Sequence, residues 1–358
     1  MSKLKVAVIG TGSISDFHLG SYEKNEDAEL FGVYDVSVER AKEKAQQFGA
    51  TKVYESLDEL FSDEALQAVS ICTWNNTHAN LAIRALESGL HVLVEKPLSM
   101  TYAESLEIQA AAQKAQKVFQ VGYVRRFATN TKVLKQFVDA GRLGEIYYAK
   151  ATCTRRLGNP GGWFADVEKS GGGPLIDLGV HIIDICWYLM GKPKVAKVSG
   201  NTYKNLGNRS NVKNLSFYKT ADYDASKNSV EDLANAIITF ENGASLMVDV
   251  SYTLHATQNE LSVKLFGTKG GAELEPELKI VAEEFDTILN VHPQIDYLSF
   301  DFNAAFQSEI DSFVNAILEN KPSEAPVEDG VEIMKILEGI YTSAQTGREV
   351  YYELETSK

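Results

Sequence analysis

An acid, an amine and a proline directly follow a short apolar run in the stretch His91-Val92-Leu93-Val94-Glu95-Lys96-Pro97. The run from His91 to Val94 is rich in β-branched residues and follows Gly89, which predicts a short buried strand. Open α/β folds bind ligands at the carboxyl edge of such strands. Lys96 is therefore expected to direct its amine into a crevice, where it can stabilise negative charge on an oxygen. A solvated surface lysine is the ordinary alternative, and two further motifs argue against it.

The first of these motifs is a glycine-rich turn, Gly10-Thr11-Gly12-Ser13-Ile14-Ser15, after the apolar strand Lys5 to Ile9. It matches the dinucleotide-binding turn, with serine at the third glycine position. Gly10 permits the tight turn, and Gly12 lets the backbone approach a pyrophosphate. The helix that follows offers free N–H groups to the same anion. Two residues at its start complete the predicted cofactor contacts, Ser13 and Ile14.

An acid follows the second predicted strand, Glu29 to Tyr34, at Asp35. It lies about 20 residues beyond the glycine-rich turn, the spacing at which a carboxylate binds an adenosine ribose. A carboxylate there accepts from both ribose hydroxyls and repels a 2′-phosphate, so Asp35 favours NAD over NADP. Arg40, five residues further on, leaves NADP open. A turn or N-cap role for Asp35 is the structural alternative, and the two roles are compatible.

A polar segment, Thr73 to His78, follows the predicted strand Ala68 to Cys72. In a doubly wound sheet this segment lies beside Lys96, at the same edge. Its polar groups are expected to face the nicotinamide half of a dinucleotide, and the candidate residues are Thr73, Trp74, Asn75 and His78. A capped helix start, with Thr77 as the capping group, is the structural alternative.

The second supporting motif is the lead-in Gly171-Gly172-Gly173-Pro174, which opens a predicted helix. Asp177, His181 and Asp184 follow at spacings of four and three, so they are expected on one face of that helix. A single histidine on an apolar helix is usually a satisfied core residue. A polar Asp–His–Asp stripe behind a glycine run indicates a functional site instead.

Strands and helices alternate with short loops over residues 1–122, which predicts an α/β domain with a doubly wound parallel sheet of the Rossmann type. From Tyr123 the pattern changes to long alternating strands, so residues 123–358 are predicted to form a second α/β domain. Its sheet is expected to be large, open and mainly antiparallel, with helices on one face and self-association through the other. The polar stretch Leu206 to Lys227 is interpreted as a long loop.

Composition excludes several classes of protein. The 358 residues carry a net charge of −14 with no basic run, so nucleic acid and anionic membrane surfaces are poor partners. No apolar segment has the length of a membrane span or the form of a signal peptide. Three widely spaced cysteines suggest neither a disulfide framework nor a metal site. We therefore expect a cytoplasmic protein with no resident metal.

Five motifs in this order resemble those of the Gfo/Idh/MocA oxidoreductases, which include inositol dehydrogenases, glucose–fructose oxidoreductase and many sugar dehydrogenases. The matching segments are Gly10-x-Gly12, Thr73-x-Asn75-x-x-His78, Glu95-Lys96-Pro97, Gly122-Tyr123-Val124-Arg125-Arg126-Phe127 and the run from Gly171 through Asp177 and His181 to Asp184. The one departure is Ser15 in place of the third glycine.

The resemblance implies an NAD(P)-dependent dehydrogenase acting on a secondary alcohol of a cyclitol or sugar, often as a homodimer or homotetramer. It implies that Lys96, Asp177 and His181 form the catalytic group, and that Lys96 also contacts the nicotinamide ribose. The Lys96–Pro97 peptide is expected to be cis. Further expected contacts are Glu95 with the cofactor, and Tyr123, Arg126, Trp163, Asp177 and His181 with the substrate.

Two other functions stay open at this point. One is an NAD-dependent glycosidase of the same superfamily, which oxidises, eliminates and re-reduces its substrate without net formation of NADH. The other is a regulatory protein that senses a dinucleotide without catalysis. The set Lys96, Asp177 and His181 argues against the regulator but does not separate the glycosidase from the dehydrogenase.

Overall fold

The computed structural model describes residues 3–207, 209, 211–217 and 227–353. Two compact units divide the chain: the first comprises residues 1–127 and 302–334, the second residues 128–301 and 335–358. The helices are α1 (Ser15–Lys24), α2 (Val38–Phe48), α3 (Leu57–Phe61), α4 (His78–Glu87), α5 (Tyr102–Ala115), α6 (Thr129–Asp139), α7 (Val167–Ser170), α8 (Val180–Leu189), α9 (Phe302–Leu318) and α10 (Val327–Thr346).

The strands of the first unit are β1 (Leu4–Ile9), β2 (Ala28–Tyr34), β3 (Lys52–Val53), β4 (Ala68–Ile71), β5 (His91–Glu95) and β6 (Phe119–Gly122). Within the described residues they form one six-stranded parallel sheet in the order β3-β2-β1-β4-β5-β6. This is the strand order of a dinucleotide-binding Rossmann domain. The predicted fold class of the first unit is thereby confirmed.

Helix α9 belongs to the first unit, although it lies far along the chain. Its Phe306 ring stacks on Phe17 of α1 with centroids 4.8 Å apart. Three of its residues join the same apolar core as β1 and β2, namely Ile310, Phe313 and Val314. The sequence predicted a single change of domain near residue 122, whereas the chain returns to its first unit over residues 302–334.

Acid is expected to weaken the fold through His91, the first residue of β5. The His91 ring accepts a hydrogen bond from the Val118 backbone N–H at 2.9 Å, so it must be neutral there. Burial, together with the Lys117 charge, lowers the pKa of His91 to about 4. Between this value and the unfolded value of about 6.5, the unfolded chain binds the proton more readily. Stability should therefore fall as the pH falls through this range.

The expected loss in the free energy of unfolding is at most about 3 kcal/mol between pH 6.5 and pH 4, because one pKa unit corresponds to about 1.4 kcal/mol. Urea unfolding of the wild type and of His91→Asn across this range measures it. The variant should give the flatter curve, and His292→Asn, at an exposed position, serves as control. Parallel curves for wild type and His91→Asn would contradict the prediction.

The second unit contains β7 (Ile146–Thr154), β8 (Val195–Tyr203), β9 (Leu233–Phe240), β10 (Ser245–Ser251), β11 (Glu260–Gly267), β12 (Gly270–Glu275), β13 (Lys279–Glu284), β14 (Thr287–Val291) and β15 (Val350–Tyr351). Within the described residues they form one nine-stranded sheet, in the order β14-β13-β12-β11-β7-β10-β9-β8-β15. Only β7 and β10 among these described neighbours run parallel. The predicted mainly antiparallel sheet is confirmed.

The hairpin predicted at Glu241-Asn242-Gly243 joins β9 to β10, with Gly243 at a φ of +84°. Part of the predicted long loop, residues 218–226, lies outside the described residues. No helix in the described part of the chain is long and apolar enough to cross a membrane.

Candidate active site

The glycine-rich turn joins β1 to α1 and has the geometry of a pyrophosphate cradle. Gly10 adopts a φ of +90°, and a Cβ there would lie 2.8 Å from the Cys72 carbonyl oxygen, so only glycine fits. A Cβ at Gly12 would meet no atom within 4 Å, which leaves open space over the backbone. The buried Ser15 hydroxyl donates to the Gly12 carbonyl at 2.6 Å. Serine at the third glycine position therefore closes the turn with a hydrogen bond.

Asp35 is buried beside this turn and binds it directly. Its Oδ2 accepts from the Thr11 N–H at 2.7 Å and from the Thr11 hydroxyl at 2.9 Å. Its Oδ1 accepts from the Ser37 N–H at 2.8 Å and from Arg40 Nη2 at 2.7 Å. Burial alone would raise the pKa of Asp35, but the Arg40 guanidinium and the other donors hold the pKa below its ordinary value. The carboxylate is thus charged at neutral pH.

Four donors fill the four acceptor positions of this carboxylate. A ribose hydroxyl would compete with these donors for Asp35, and Arg40 is the most exposed of them, with 48% of its side chain accessible. Ser37, rather than Asp35, is the N-cap of α2. The contact of Thr11 with Asp35 was not predicted from the sequence, because the glycine motif does not specify the residue type at this position.

The polar segment after β4 lies beside the end of β5, as expected from the sheet order. Trp74 is 46% exposed, whereas Asn75 and His78 are buried. The two His78 ring nitrogens lie 2.7 Å from the Pro97 carbonyl and 3.2 Å from the Thr73 carbonyl. Burial lowers the pKa of His78, and its hydrogen bond to the Pro97 carbonyl braces the turn that carries Lys96.

Thr77 stands at the N-cap of α4, but its hydroxyl caps no helical N–H. It donates instead to the Thr73 hydroxyl at 2.6 Å, so the capping role considered for it is wrong.

Lys96 follows β5 and is half-buried. The Lys96–Pro97 peptide is cis, as expected.

Glu95, a predicted cofactor contact, points into the unit: its Oε1 lies 2.8 Å from His18 Nε2, and its Oε2 accepts from the Lys96 N–H at 3.3 Å. Glu309 lies close by: one ring nitrogen of His18 and one carboxylate oxygen each of Glu95 and Glu309 lie within 4.8 Å of one another. The 2.8 Å separation of His18 Nε2 and Glu95 Oε1 is that of a hydrogen bond.

Tyr123 and Arg126 were expected to contact substrate, and both are almost fully buried. The Arg126 guanidinium donates to Asp329 at 2.5 Å and to the Glu324 carbonyl at 2.9 Å. It also lies 5.0 Å from the centre of the Tyr123 ring. These contacts within the first unit account for the burial of Arg126, and its contact with substrate stays a prediction.

Asp177 and His181 lie on one continuous helical run in the second unit. A π-helical turn, Leu175–Gly179, carries Asp177 and continues into α8, which carries His181. Both side chains are partly exposed, whereas Asp184 is 1% exposed and belongs to the buried side of α8. Of the predicted stripe of three, only Asp177 and His181 are therefore partly exposed.

Asp177 has a partner that the sequence did not reveal. The Tyr252 hydroxyl donates to Asp177 Oδ2 at 3.1 Å. Burial of Tyr252, together with the Asp177 charge, raises the pKa of the phenol well above its ordinary value, so it remains a donor. Trp163, on a short 3₁₀ turn, stacks on Phe164 with ring centroids 4.0 Å apart.

Comparison with known proteins identifies the family. Residues 4–123 match the model of the oxidoreductase family with an NAD-binding Rossmann fold, and residues 135–354 match the model of its C-terminal alpha/beta domain. The chain belongs to the Gfo/Idh/MocA oxidoreductases. The predicted family and the predicted enzyme class, a nicotinamide-dependent dehydrogenase, are confirmed.

Relatives and solved structures match nearly the whole chain. A D-glucoside 3-dehydrogenase of Escherichia coli K12 is 32% identical, over 98% of this chain and 97% of its own. A myo-inositol 2-dehydrogenase of Thermotoga maritima is 26% identical, over 91% and 92%. A levoglucosan dehydrogenase in complex with NADH and levoglucosan is 22% identical, with a TM-score of 0.85 over 99% of this chain and 100% of that one. The last comparison supports the fold.

The predicted site residues of this Gfo/Idh/MocA protein fall into two groups. The first unit holds the glycine-rich turn, Asp35, the segment after β4 and Lys96. The second unit holds Trp163, Asp177 and His181. Among the supporting residues that sequence reasoning missed are Thr11, which binds Asp35, His18, which binds Glu95, and Tyr252, which binds Asp177.

Proposed function

We propose that this protein oxidises a secondary alcohol of a sugar or cyclitol by transferring a hydride to NAD. The observation that carries the proposal is the match over almost the full length of both chains to a D-glucoside 3-dehydrogenase. The myo-inositol 2-dehydrogenase of Thermotoga maritima supports the same class of substrate.

The cofactor fits the residues of the first unit. Gly10 and Gly12 would hold the pyrophosphate, Asp35 the adenosine ribose, and Lys96 the nicotinamide ribose. Further cofactor contacts are proposed for Ser13, Ile14, Arg40, Thr73, Trp74, Asn75, His78 and Glu95. When bound, NAD supplies the carbon that accepts the hydride.

His181 is proposed to take the proton of the reacting hydroxyl, because imidazole exchanges protons near neutral pH. Lys96 would donate a hydrogen bond to the same oxygen and stabilise the negative charge that develops on it. Asp177, held by the Tyr252 hydroxyl, would orient the substrate. Trp163 would line the sugar pocket; Tyr123 and Arg126 are weaker candidates, because both are buried.

The test is reduction of the nicotinamide by the pure protein, with NAD and NADP separately, over a panel of inositols, aldoses and glycosides. Formation of NADH with a cyclitol or sugar supports the dehydrogenase and names its substrate class. Cofactor binding without NADH on any alcohol favours the glycosidase, and glycoside cleavage is then assayed. Failure of both assays would leave a dinucleotide sensor.

NAD is proposed as the preferred cofactor, because the buried Asp35 carboxylate would repel a 2′-phosphate. In Asp35→Ser the repulsion disappears and Arg40 is released to bind that phosphate. We expect the ratio of kcat/KM for NAD over NADP to fall at least about tenfold, which requires about 1.4 kcal/mol. Steady-state kinetics measures the ratio, with Asp27→Ser as an exposed control in the same unit. An unchanged ratio would exclude Asp35 from cofactor choice.

A homodimer or homotetramer through the nine-stranded sheet is also proposed. Ile237 is 48% exposed and pairs with Met247. Phe266 is 39% exposed, and its ring stacks on Tyr148. A sheet face with such apolar side chains is suited to bind a second copy of itself.

Assembly is tested by the mass in solution. The wild type should sediment as a multiple of the 39.5 kDa chain. Ile237→Asp should shift the mass toward one chain, because a two-fold contact would bring two buried charges together. Phe285→Asp, at an exposed hairpin tip, is the control. A wild type of 39.5 kDa would contradict the proposal.

A cytoplasmic location stays a proposal. It is supported by the absence of any disulfide among Cys72, Cys153 and Cys186, all of which lie within the described residues.

A further inference from the structure

Glu231 is a buried carboxylate just before β9 whose two oxygens are both occupied. Its Oε2 accepts from the Gly173 N–H at 2.9 Å. Its Oε1 accepts from the Leu175 N–H at 3.2 Å and from the Tyr341 hydroxyl at 2.9 Å. The first N–H groups of a helix have no partner within the helix, and a negative charge there is favourable. Glu231 therefore caps the start of the helical run that carries the proposed catalytic residues.

The glycine run ahead of this helix makes room for the cap. A Cβ at Gly172 would lie 2.0 Å from the Tyr341 hydroxyl oxygen. A Cβ at Gly173 would lie 2.5 Å from the Glu231 carbonyl oxygen and 3.1 Å from its carboxylate. Two of the three glycines are thus explained by the approach of Glu231 and Tyr341. Any larger residue would push these two side chains away from the helix start.

Asp177 and His181 follow the capped N–H groups within the next two turns of the same run. The cap fixes the start of that run, and the buried Tyr252 hydroxyl donates a hydrogen bond to Asp177. Burial raises the pKa of Glu231, whereas the hydrogen bonds from Gly173, Tyr341 and Leu175 act in the opposite direction.

We propose that Glu231, assisted by Tyr341, is a positioning residue that sets the placement of Asp177 and His181. It acts through the backbone of residues 173–175 and not on the substrate. The inference rests on the proposed dehydrogenase function and adds to it a group outside the Lys96, Asp177 and His181 set. Its effect should appear in turnover, since a displacement of about 1 Å can cost a hundredfold in rate.

Glu231→Gln tests the inference with little change in shape. Glutamine offers one acceptor oxygen and one NH₂ donor in place of the two acceptor oxygens. Its NH₂ group would therefore face a donor, either the Gly173 N–H or the Leu175 N–H with the Tyr341 hydroxyl. We expect kcat to fall about 10- to 100-fold while the dissociation constant for NAD is unchanged. Glu241→Gln, at an exposed position of the same unit, should retain wild-type kcat.

A second comparison separates positioning from a general loss of structure. In a background that lacks both positioned side chains, Asp177→Ala with His181→Ala, Glu231→Gln should lower the residual rate less than about threefold, because the groups that it positions are already absent. A full additional loss in that background would overturn the proposal, as would wild-type kcat in Glu231→Gln.

Tyr341→Phe decides the question if Glu231→Gln fails to fold. It removes one donor and leaves both backbone bonds, so kcat should fall about two- to fivefold at unchanged NAD affinity, the loss of about one modest hydrogen bond. Wild-type kcat would overturn the proposal. If the wild type is active, His181→Ala is inactive and Glu231→Gln is fully active, the positioning role alone is excluded. If His181→Ala keeps full activity, the proposed mechanism itself is excluded.

Discussion

His181→Ala should lower kcat by about a hundredfold to ten-thousandfold while NAD still binds. The imidazole is proposed to take the hydroxyl proton as the hydride leaves, and loss of a well-placed general base costs between about a hundredfold and ten-thousandfold. The cofactor contacts are proposed in the first unit, whereas His181 lies in the second, so the affinity for NAD should not change. Stopped-flow or steady-state NADH formation measures kcat, and fluorescence titration measures NAD binding.

His292→Ala, at an exposed position of the same unit, is the matched control and should behave as wild type. Turnover of His181→Ala within about threefold of wild type, well short of the loss expected for a general base, would remove His181 from the mechanism. A parallel loss of NAD affinity would instead place His181 at the cofactor.

Lys96→Met should lower kcat by about two to three orders of magnitude, because loss of one preorganised donor to a developing oxyanion has that effect. Methionine keeps the length of the side chain and removes the charge. Lys96→Arg keeps the charge but not the compact ammonium, so it should recover only part of the rate. Lys114→Met, on the exposed side of α5, is the control.

An effect of Lys96→Met on KM for NAD alone, with kcat preserved, would contradict the catalytic role. It would confine Lys96 to the contact with the nicotinamide ribose.

The sequence predicted well those features that are encoded by neighbouring residues. The strand, glycine-rich turn and helix at Gly10 to Ser15 are local, and so is the strand that ends just before Lys96. The structure places Gly10 at a φ that only glycine adopts readily, as the motif requires. The parallel order of the first sheet also follows from the alternation of strands and helices.

Contacts between residues distant in the chain could not be predicted. Arg126 belongs to a motif that suggested a substrate contact, but its partner Asp329 lies about 200 residues away. Tyr252, just after β10, and Glu231, just before β9, likewise support Asp177 and the helix start from distant parts of the chain. The amphipathic pattern of α9 predicts a helix but does not say which sheet it packs on, so its return to the first unit was missed.

The most direct measurement follows the hydrogen itself. The protein is incubated with NAD and carbon-deuterated sugars and cyclitols from the panel, and the reduced cofactor is examined by NMR and mass spectrometry. Hydride transfer from a secondary alcohol predicts NADH carrying one deuterium at nicotinamide C4, on one face of the ring, together with a ketone product. Reduced cofactor without deuterium, or no reduced cofactor from any sugar or cyclitol, would contradict hydride transfer from a secondary alcohol.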